Sequence, residues 1–350
     1  MQVKLQWWAG VWATVLSLAA CASQKDLPTS QHTLIEDGQY TNPQIQDPEK
    51  SFFDYWGMRL FGDTEFADQS AQVDRIQTVT NTLDLTVRPS GERVIWLGHS
   101  TFLIQAGGLN VLTDPILSER ASPVSFAGPV RLAPMPYSFE DLPRIDVVLI
   151  SHNHYDHLDR ATIKQLGNEP HYYVPLGLSE WFKQQDIDGL SITEMDWWQQ
   201  DTGRGYTITA TPAQHWSARS LFDRRETFWA GWHIQIGDWR LWFAGDTGYN
   251  PVQFRQIGER LKDIDVALIP IGSYSPRWFM KPYHVNPQEA VRIHQDVGAA
   301  TSVGMHWSTF QLSAEALDEP RRRLETIMAE RPGLPPFITL PIGGHLHWAD

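Results

Sequence analysis

Residues 151–157 read Ser-His-Asn-His-Tyr-Asp-His, so three imidazoles and a carboxylate fall within seven residues, directly after the apolar run 145–150. That run is short and rich in β-branched residues, as expected of a buried strand. α/β proteins usually place their sites at the carboxyl ends of such strands. Borderline-soft cations such as Zn²⁺ take imidazole and carboxylate ligands. The alternate residues His152 and His154 can face one ion, while Asp156 and His157 can turn toward a second beside it. A two-metal site needs more ligands than one loop supplies, so further His or Asp residues are expected at other strand ends.

Three positions meet that expectation. His215 follows the alternating run 206–210, in Thr211-Pro212-Ala213-Gln214-His215-Trp216-Ser217. Asp246 follows an expected strand over 239–243, in Ala244-Gly245-Asp246-Thr247-Gly248, where glycine lets backbone approach an ion. His306 follows an expected strand over 301–305 and precedes Trp307-Ser308-Thr309-Phe310. A lone His or Asp usually serves structure, but with the 151–157 loop these three complete a set.

With those residues in that order, the chain resembles the metallo-β-lactamase-fold superfamily of hydrolases. The resemblance implies an α/β fold of the αββα four-layer type, two mixed sheets face to face with helices outside. It implies two zinc ions per chain, one held by His152, His154 and His215, the other by Asp156, His157 and His306, with Asp246 bridging them.

A narrower resemblance, over about residues 96–319, is to the N-acyl-phosphatidylethanolamine-hydrolysing phospholipase D family. It rests on Trp96-Leu97-Gly98-His99-Ser100, Thr113-Asp114-Pro115, Ser118-Glu119-Arg120-Ala121-Ser122-Pro123, Asp196-Trp197-Trp198, the words around His215 and His306, and Pro276-Arg277-Trp278-Phe279-Met280. It implies a phospholipid or other small anionic ester as substrate, with Tyr155 and His284 beside it.

The amino end carries its own signal. Lys4 precedes a largely apolar stretch that closes on Leu18-Ala19-Ala20-Cys21, and Cys21 is the only cysteine. This resembles a bacterial lipoprotein signal with its lipobox. Acylation at Cys21 would anchor the protein in the cell envelope, and the following Ala22 and Ser23 suit the outer membrane, facing the periplasm. Residues 22–50 are polar and punctuated by Pro28, Pro43 and Pro48, as in a tether. Residues 51–350 are then one hydrolase domain. Within it, Phe52, Phe53, Trp56 and Leu60 share a helical face, and a second helix is expected over 72–85.

Composition narrows the function. A net charge of −13 without a basic run excludes nucleic acid as a natural partner. The 16 tryptophans permit a lipid substrate without requiring one. Asp114, after an expected strand over 109–112, has the setting of a carboxylate that fixes a metal-bound imidazole, and His99 either does similar work or closes a turn. Arg277, in an aromatic-rich loop over 274–284, is a candidate contact for an anionic phosphate. His32, His171, His233, His294, His345 and His347 are read as structural.

Two cations about 3.5 to 4 Å apart acidify a shared water, so hydroxide held between them is the expected nucleophile, with Asp156, Asp246 and His284 at the reacting centre. A lactonase or other ester hydrolase would use the same chemistry, and a non-catalytic metal-binding lipoprotein would have the same ligands. A β-lactamase fits less well, because the only thiol is at Cys21.

Overall fold

The apolar residues of each strand sort onto two faces, and both faces are buried. In the computed structural model, Val94, Trp96, Phe102, Ile104, Val147 and Leu149 join one core cluster, while their neighbours Ile95, Leu97, Leu103, Val148 and Ile150 join another. Period-two alternation therefore puts apolar side chains on both sides of the sheet. This is why these strands read as continuous apolar runs. The structure describes residues 62–79 and 83–349, with 31, 35–36, 38–44, 54 and 57–58.

Among the described residues, two seven-stranded sheets form the frame. The first runs, edge to edge, His345–Trp348, Glu92–Gly98, Thr101–Ala106, Leu109–Thr113, Val147–Leu149, His171–Pro175 and Ser191–Met195. The second runs Phe337–Ile338, Thr301–Met305, Val266–Pro270, Trp239–Phe243, Gly231–Ile236, Tyr206–Thr211 and Gln200–Gly203. Both are mixed: Leu109–Thr113 pairs antiparallel with Thr101–Ala106 but parallel with Val147–Leu149, and Trp239–Phe243 is antiparallel to Gly231–Ile236 but parallel to Val266–Pro270.

The inner cluster draws on both sheets, so they pack face to face. Trp232 reaches across and donates its indole N–H to the Ile150 carbonyl at 2.9 Å. Ile163, Leu166 and Phe182, from the helices Arg160–Leu166 and Ser179–Lys183, cover the outer face of the first sheet. Phe254, Ile257, Val291 and Val297, from Pro251–Leu261 and Pro287–Val297, cover that of the second. The expected αββα sandwich is the fold.

Some local expectations differ. In place of a helix over 72–85 there is a 3₁₀ helix at Gln69–Arg75, and Thr78 then bridges to Ile342. The β-branched residues Val79 and Thr78 suit that extended pairing better than a helix. Part of the expected tether is packed: Tyr40 is buried, its N–H donates to the Arg225 carbonyl at 2.9 Å, and Asn42 bonds to Ala213 and Gln253. Cys21, His32 and the face formed by Phe52, Phe53, Trp56 and Leu60 lie outside the described residues.

Candidate metal centre

Every strand that leads to a candidate ligand ends on the same rim of the sandwich. Val147–Leu149 leads to His152, His154, Asp156 and His157; Tyr206–Thr211 to His215; Trp239–Phe243 to Asp246; Thr301–Met305 to His306. Two groups of side chains converge there, His152 with His154 and His215, and His99 with Asp156, His157 and His306; within each the ligand atoms lie within 4.8 Å of one another. Asp246 Oδ2 stands 3.2 Å from His157 Nε2, 3.1 Å from His306 Nε2 and 3.7 Å from His215 Nε2, between the groups. The cluster is buried except at His154, Asp156 and His284, which are half-buried, so it opens to solvent on their side.

The backbone holds these residues by long-range bonds. Ser151 donates to Asp114 through both its N–H, 2.6 Å, and its hydroxyl, 2.5 Å. Asp114 also accepts from His157 Nδ1 at 2.7 Å, which leaves Nε2 as the free face of that imidazole. Asp114 thus stands against an imidazole of the cluster, where the sequence placed it. His215 Nδ1 donates to the Tyr283 carbonyl at 3.1 Å and likewise frees its Nε2. Gln214 N–H donates to Thr247 Oγ1, and Gly248 N–H to the Gln214 carbonyl, which ties the His215 and Asp246 loops together. At Gly245, whose φ is +62°, a Cβ would stand 2.7 Å from that of Ser151, so glycine is required for loop packing here.

His99 does more than close its turn. Its Nε2 lies 2.9 Å from Asp156 Oδ2, its backbone carbonyl accepts from His306 N–H at 3.0 Å, and its ring lies 4.1 Å from that of His306. His99, Asp114 and His306 all have left-handed backbone with φ of 53°, 34° and 61°. Such strain in residues that carry a side chain costs of order 1–3 kcal/mol each and gathers at functional sites.

Charge and burial together ask for a cation. Burial drives His152 and His215 well below the ordinary histidine value and His154 to about 3, so all three are neutral ligands. Burial alone would raise Asp156 and Asp246, but the charge of His157 holds both well below the usual carboxylate range. In return, and against burial, the Asp246 carboxylate lifts His157 well above its usual value and His306 to about 9. Protons on these two imidazoles thus do the neutralising. His154 Nε2 and Asp246 Oδ1 are nevertheless buried without a hydrogen-bond partner, an arrangement that costs about 1–3 kcal/mol per group. Divalent cations fit that donor set.

The known proteins similar to this chain agree with the geometry. Residues 109–307 match the beta-lactamase superfamily domain. Over 91% of the chain and 97% of the relative, it is 38% identical to N-acyl-phosphatidylethanolamine-hydrolyzing phospholipase D 1 of Caenorhabditis elegans. The chain belongs to the phospholipase D family of that name, within the metallo-β-lactamase superfamily. A mitochondrial relative of the same name from Saccharomyces cerevisiae is 38% identical over 66% of this chain and 51% of its own length. A metallo hydrolase of Ignicoccus hospitalis superposes with a TM-score of 0.56 over 74% of this chain and 99% of its own, at 21% identity, and shows the shared fold. The protein is a metal-dependent hydrolase of the β-lactamase fold.

Two residues tied to substrate in the sequence reading are engaged elsewhere. Arg277 donates from Nη1 to the His284 carbonyl at 2.8 Å and from Nη2 to Glu289 Oε2 at 2.7 Å. Its guanidinium therefore braces the His284 turn. The Tyr155 hydroxyl donates to the Arg219 carbonyl at 2.7 Å, and the Arg219 guanidinium lies 4.0 Å over the Tyr155 ring. His284 does reach the cluster, with Nδ1 3.8 Å from Asp246 Oδ2 and its ring 5.2 Å from that of His215.

The residue that the sequence did not reveal is Arg219, which donates to the carbonyls of Asn153 and Leu158 at 2.8 Å and clasps the ligand loop. Only its place four residues after His215 could have drawn notice. Of the histidines read as structural, His171, His294 and His347 bond to Ser191, Ser302 and the Ser90 carbonyl, all outside the cluster.

Proposed function

We propose that the protein is a dinuclear zinc hydrolase that cleaves a phospholipid-type phosphodiester. His152, His154 and His215 would hold one cation, Asp156, His157 and His306 the other, and Asp246 both. The observation that carries this reading is the convergence of these seven side chains on one rim with buried ligand atoms unpartnered. When bound, two such cations would acidify water and neutralise charge on a phosphoryl group.

The protein's own groups do the rest. Asp114 keeps the His157 proton on Nδ1, and His99 orients the Asp156 carboxylate. His284, at the open side, is depressed to about 3 by burial and is therefore neutral; its unpartnered Nδ1 supports a contact with a phosphate oxygen. Arg277 holds the backbone carbonyl of His284 and so sets where that ring stands. The relatives named for N-acyl-phosphatidylethanolamine hydrolysis support a lipid phosphodiester as substrate.

The test is metal analysis of the purified protein together with kcat/KM on N-acyl-phosphatidylethanolamine, an aryl phosphodiester, a lactone and a β-lactam. About two zinc per chain and preference for the phosphodiesters are expected. Preference for the lactone by orders of magnitude would assign an ester hydrolase instead, and metal content near zero after zinc reconstitution would end the dinuclear reading.

The proposal extends to location: lipid modification at Cys21 would hold the enzyme at the cell envelope. Cys21→Ser should abolish incorporation of radiolabelled fatty acid, and label in that variant refutes it.

A further inference from the structure

Each fully buried imidazole of the metal cluster turns one nitrogen toward the other ligands, and its far nitrogen needs a partner of its own. His152 Nδ1 stands 2.8 Å from Ser151 Oγ, which already donates to Asp114 and so accepts here. His157 Nδ1 has Asp114 at 2.7 Å, and His215 Nδ1 has the Tyr283 carbonyl at 3.1 Å. His306 breaks the series. Its Nε2 faces Asp246 and Asp156 at 3.1 and 3.4 Å, while its Nδ1 is buried with no hydrogen-bond partner in the protein. Once Nε2 takes a metal, Nδ1 carries the proton, and leaving that buried donor unbonded is costly.

The His306 ring borders a small polar cavity of about 10 Å³, room for about one water. Gln69 and Glu315 line it as well, and they are 3% and 6% exposed. Gln69 Nε2 donates to the Glu315 carbonyl at 2.5 Å and lies 3.4 Å from that of Ser313, which fixes the orientation of the amide; its Oε1 is an acceptor, buried and unpartnered. Glu315 is the one acid among the described residues that line the cavity. Its Oε1 and Oε2 accept from the backbone N–H groups of Tyr274 and Ser275 at 3.3 and 3.0 Å, and each oxygen has room for a second bond.

These groups are complementary through a water. It would accept from His306 Nδ1–H and donate to Gln69 Oε1 and to the Glu315 carboxylate, the three bonds usual for a buried water. The backbone holds Glu315 and His306 in fixed relation. The loop that leaves Val266–Pro270 supplies both N–H groups on Glu315, and it abuts His306: a Cβ on Gly272 would stand 2.2 Å from the His306 carbonyl oxygen, and Ile271 N–H donates to the Met305 carbonyl at 3.0 Å. Glycine at 272 therefore permits the close approach.

We propose that one water, held by Gln69 in this cavity, links His306 Nδ1–H to the Glu315 carboxylate. Glu315 is then a positioning residue: it keeps the His306 proton on Nδ1 and leaves Nε2 free for a cation, as Asp114 does for His157. The link goes beyond the dinuclear reading but rests on it for the cation.

The experiment separates the two. The zinc-loaded full-length chain, labelled with ¹⁵N in its histidines, is compared by ¹H–¹⁵N correlation with Glu315→Leu and Gln69→Leu, and His306→Asn identifies the His306 resonance. A cross-peak from His306 Nδ1–H to a long-lived water is expected in the parent and is lost in both variants. Chelator competition should show one cation bound about tenfold more weakly in each variant, with the other unchanged. Gln69→Leu leaves the Glu315 bonds to Tyr274 and Ser275 in place, so it decides the matter should Glu315→Leu fail to fold. No water cross-peak in the parent, or unchanged affinity in the folded variants, overturns the proposal. Equal weakening of both cations also overturns it, because that marks a general loosening of the rim. If the parent takes up no metal, the dinuclear reading fails, while the same cross-peak in the metal-free chain still decides the link.

Discussion

The two sheets furnish the metal cluster in different ways. The first gives His152, His154, Asp156 and His157 from one loop, so four ligand groups share a single stretch of backbone. The second gives His215, Asp246 and His306 from three loops, each after its own strand. A single loop needs an outside clasp, and this one has three: Asp114 on Ser151 and His157, His99 on Asp156, and Arg219 on two backbone carbonyls. Separate loops must instead be tied to each other, as Gln214 is to Thr247, His215 to the Tyr283 carbonyl, and His306 to His99. A contiguous motif brings ligand density, and dispersed ligands bring the fixed distances between the two groups.

The sharpest way to break this comparison is at Asp246, the dispersed residue that stands between both groups. Asp246→Ala should release at least one metal and lower kcat/KM by about three orders of magnitude, since on the proposed assignment one change removes a ligand from both cations. Metal analysis and turnover on the same sample check it, and full activity with two metals would dissolve the bridging role.

A clasp on the contiguous loop is expected to matter less. Asp114→Asn should weaken metal affinity by about ten- to hundredfold, because an amide no longer demands the His157 proton at Nδ1. Chelator competition measures it; unchanged affinity would mean that the loop holds its own geometry.

His284 comes together with His215 and Asp246 but lies outside the seven ligands proposed above, so it should separate binding of metal from binding of substrate. A phosphate contact worth about 1.5 to 3 kcal/mol corresponds to about a ten- to hundredfold loss of turnover in His284→Ala, with metal content unchanged. Unaltered phosphodiester turnover would remove His284 from the substrate site.

Arg277 should give the smallest effect, about three- to tenfold for Arg277→Ala, because it acts on the His284 backbone. Combined with His284→Ala it should add almost nothing. Additive losses in that cycle would restore Arg277 to direct contact with substrate.

The side chains that converge in the cluster were legible because metal chemistry restricts residue types and because strand ends are visible as short apolar runs. Trp239–Phe243 and Thr301–Met305 fall where the runs place them, whereas the run 145–150 contributes only Val147–Leu149 to its ladder. The Glu289 partner of Arg277 was not legible, because a basic residue in an aromatic loop has the same appearance whether it meets a phosphate or a carboxylate. Gly245 shows the same ambiguity, since close approach of backbone to an ion and to Ser151 call for the same residue. The expected helix over 72–85 failed because its residues pair with Ile342, far away in the chain.

By itself the sequence determined which side chains could bind metal and that short apolar runs such as 145–150 are buried strands, for both depend on residue type and local order. Only the tertiary structure decided which nitrogen of His157 and of His215 is free, that His99 serves Asp156, and that Arg219 clasps the ligand loop. Those facts are distances between residues far apart in the chain, and they exist only once the two sheets have packed.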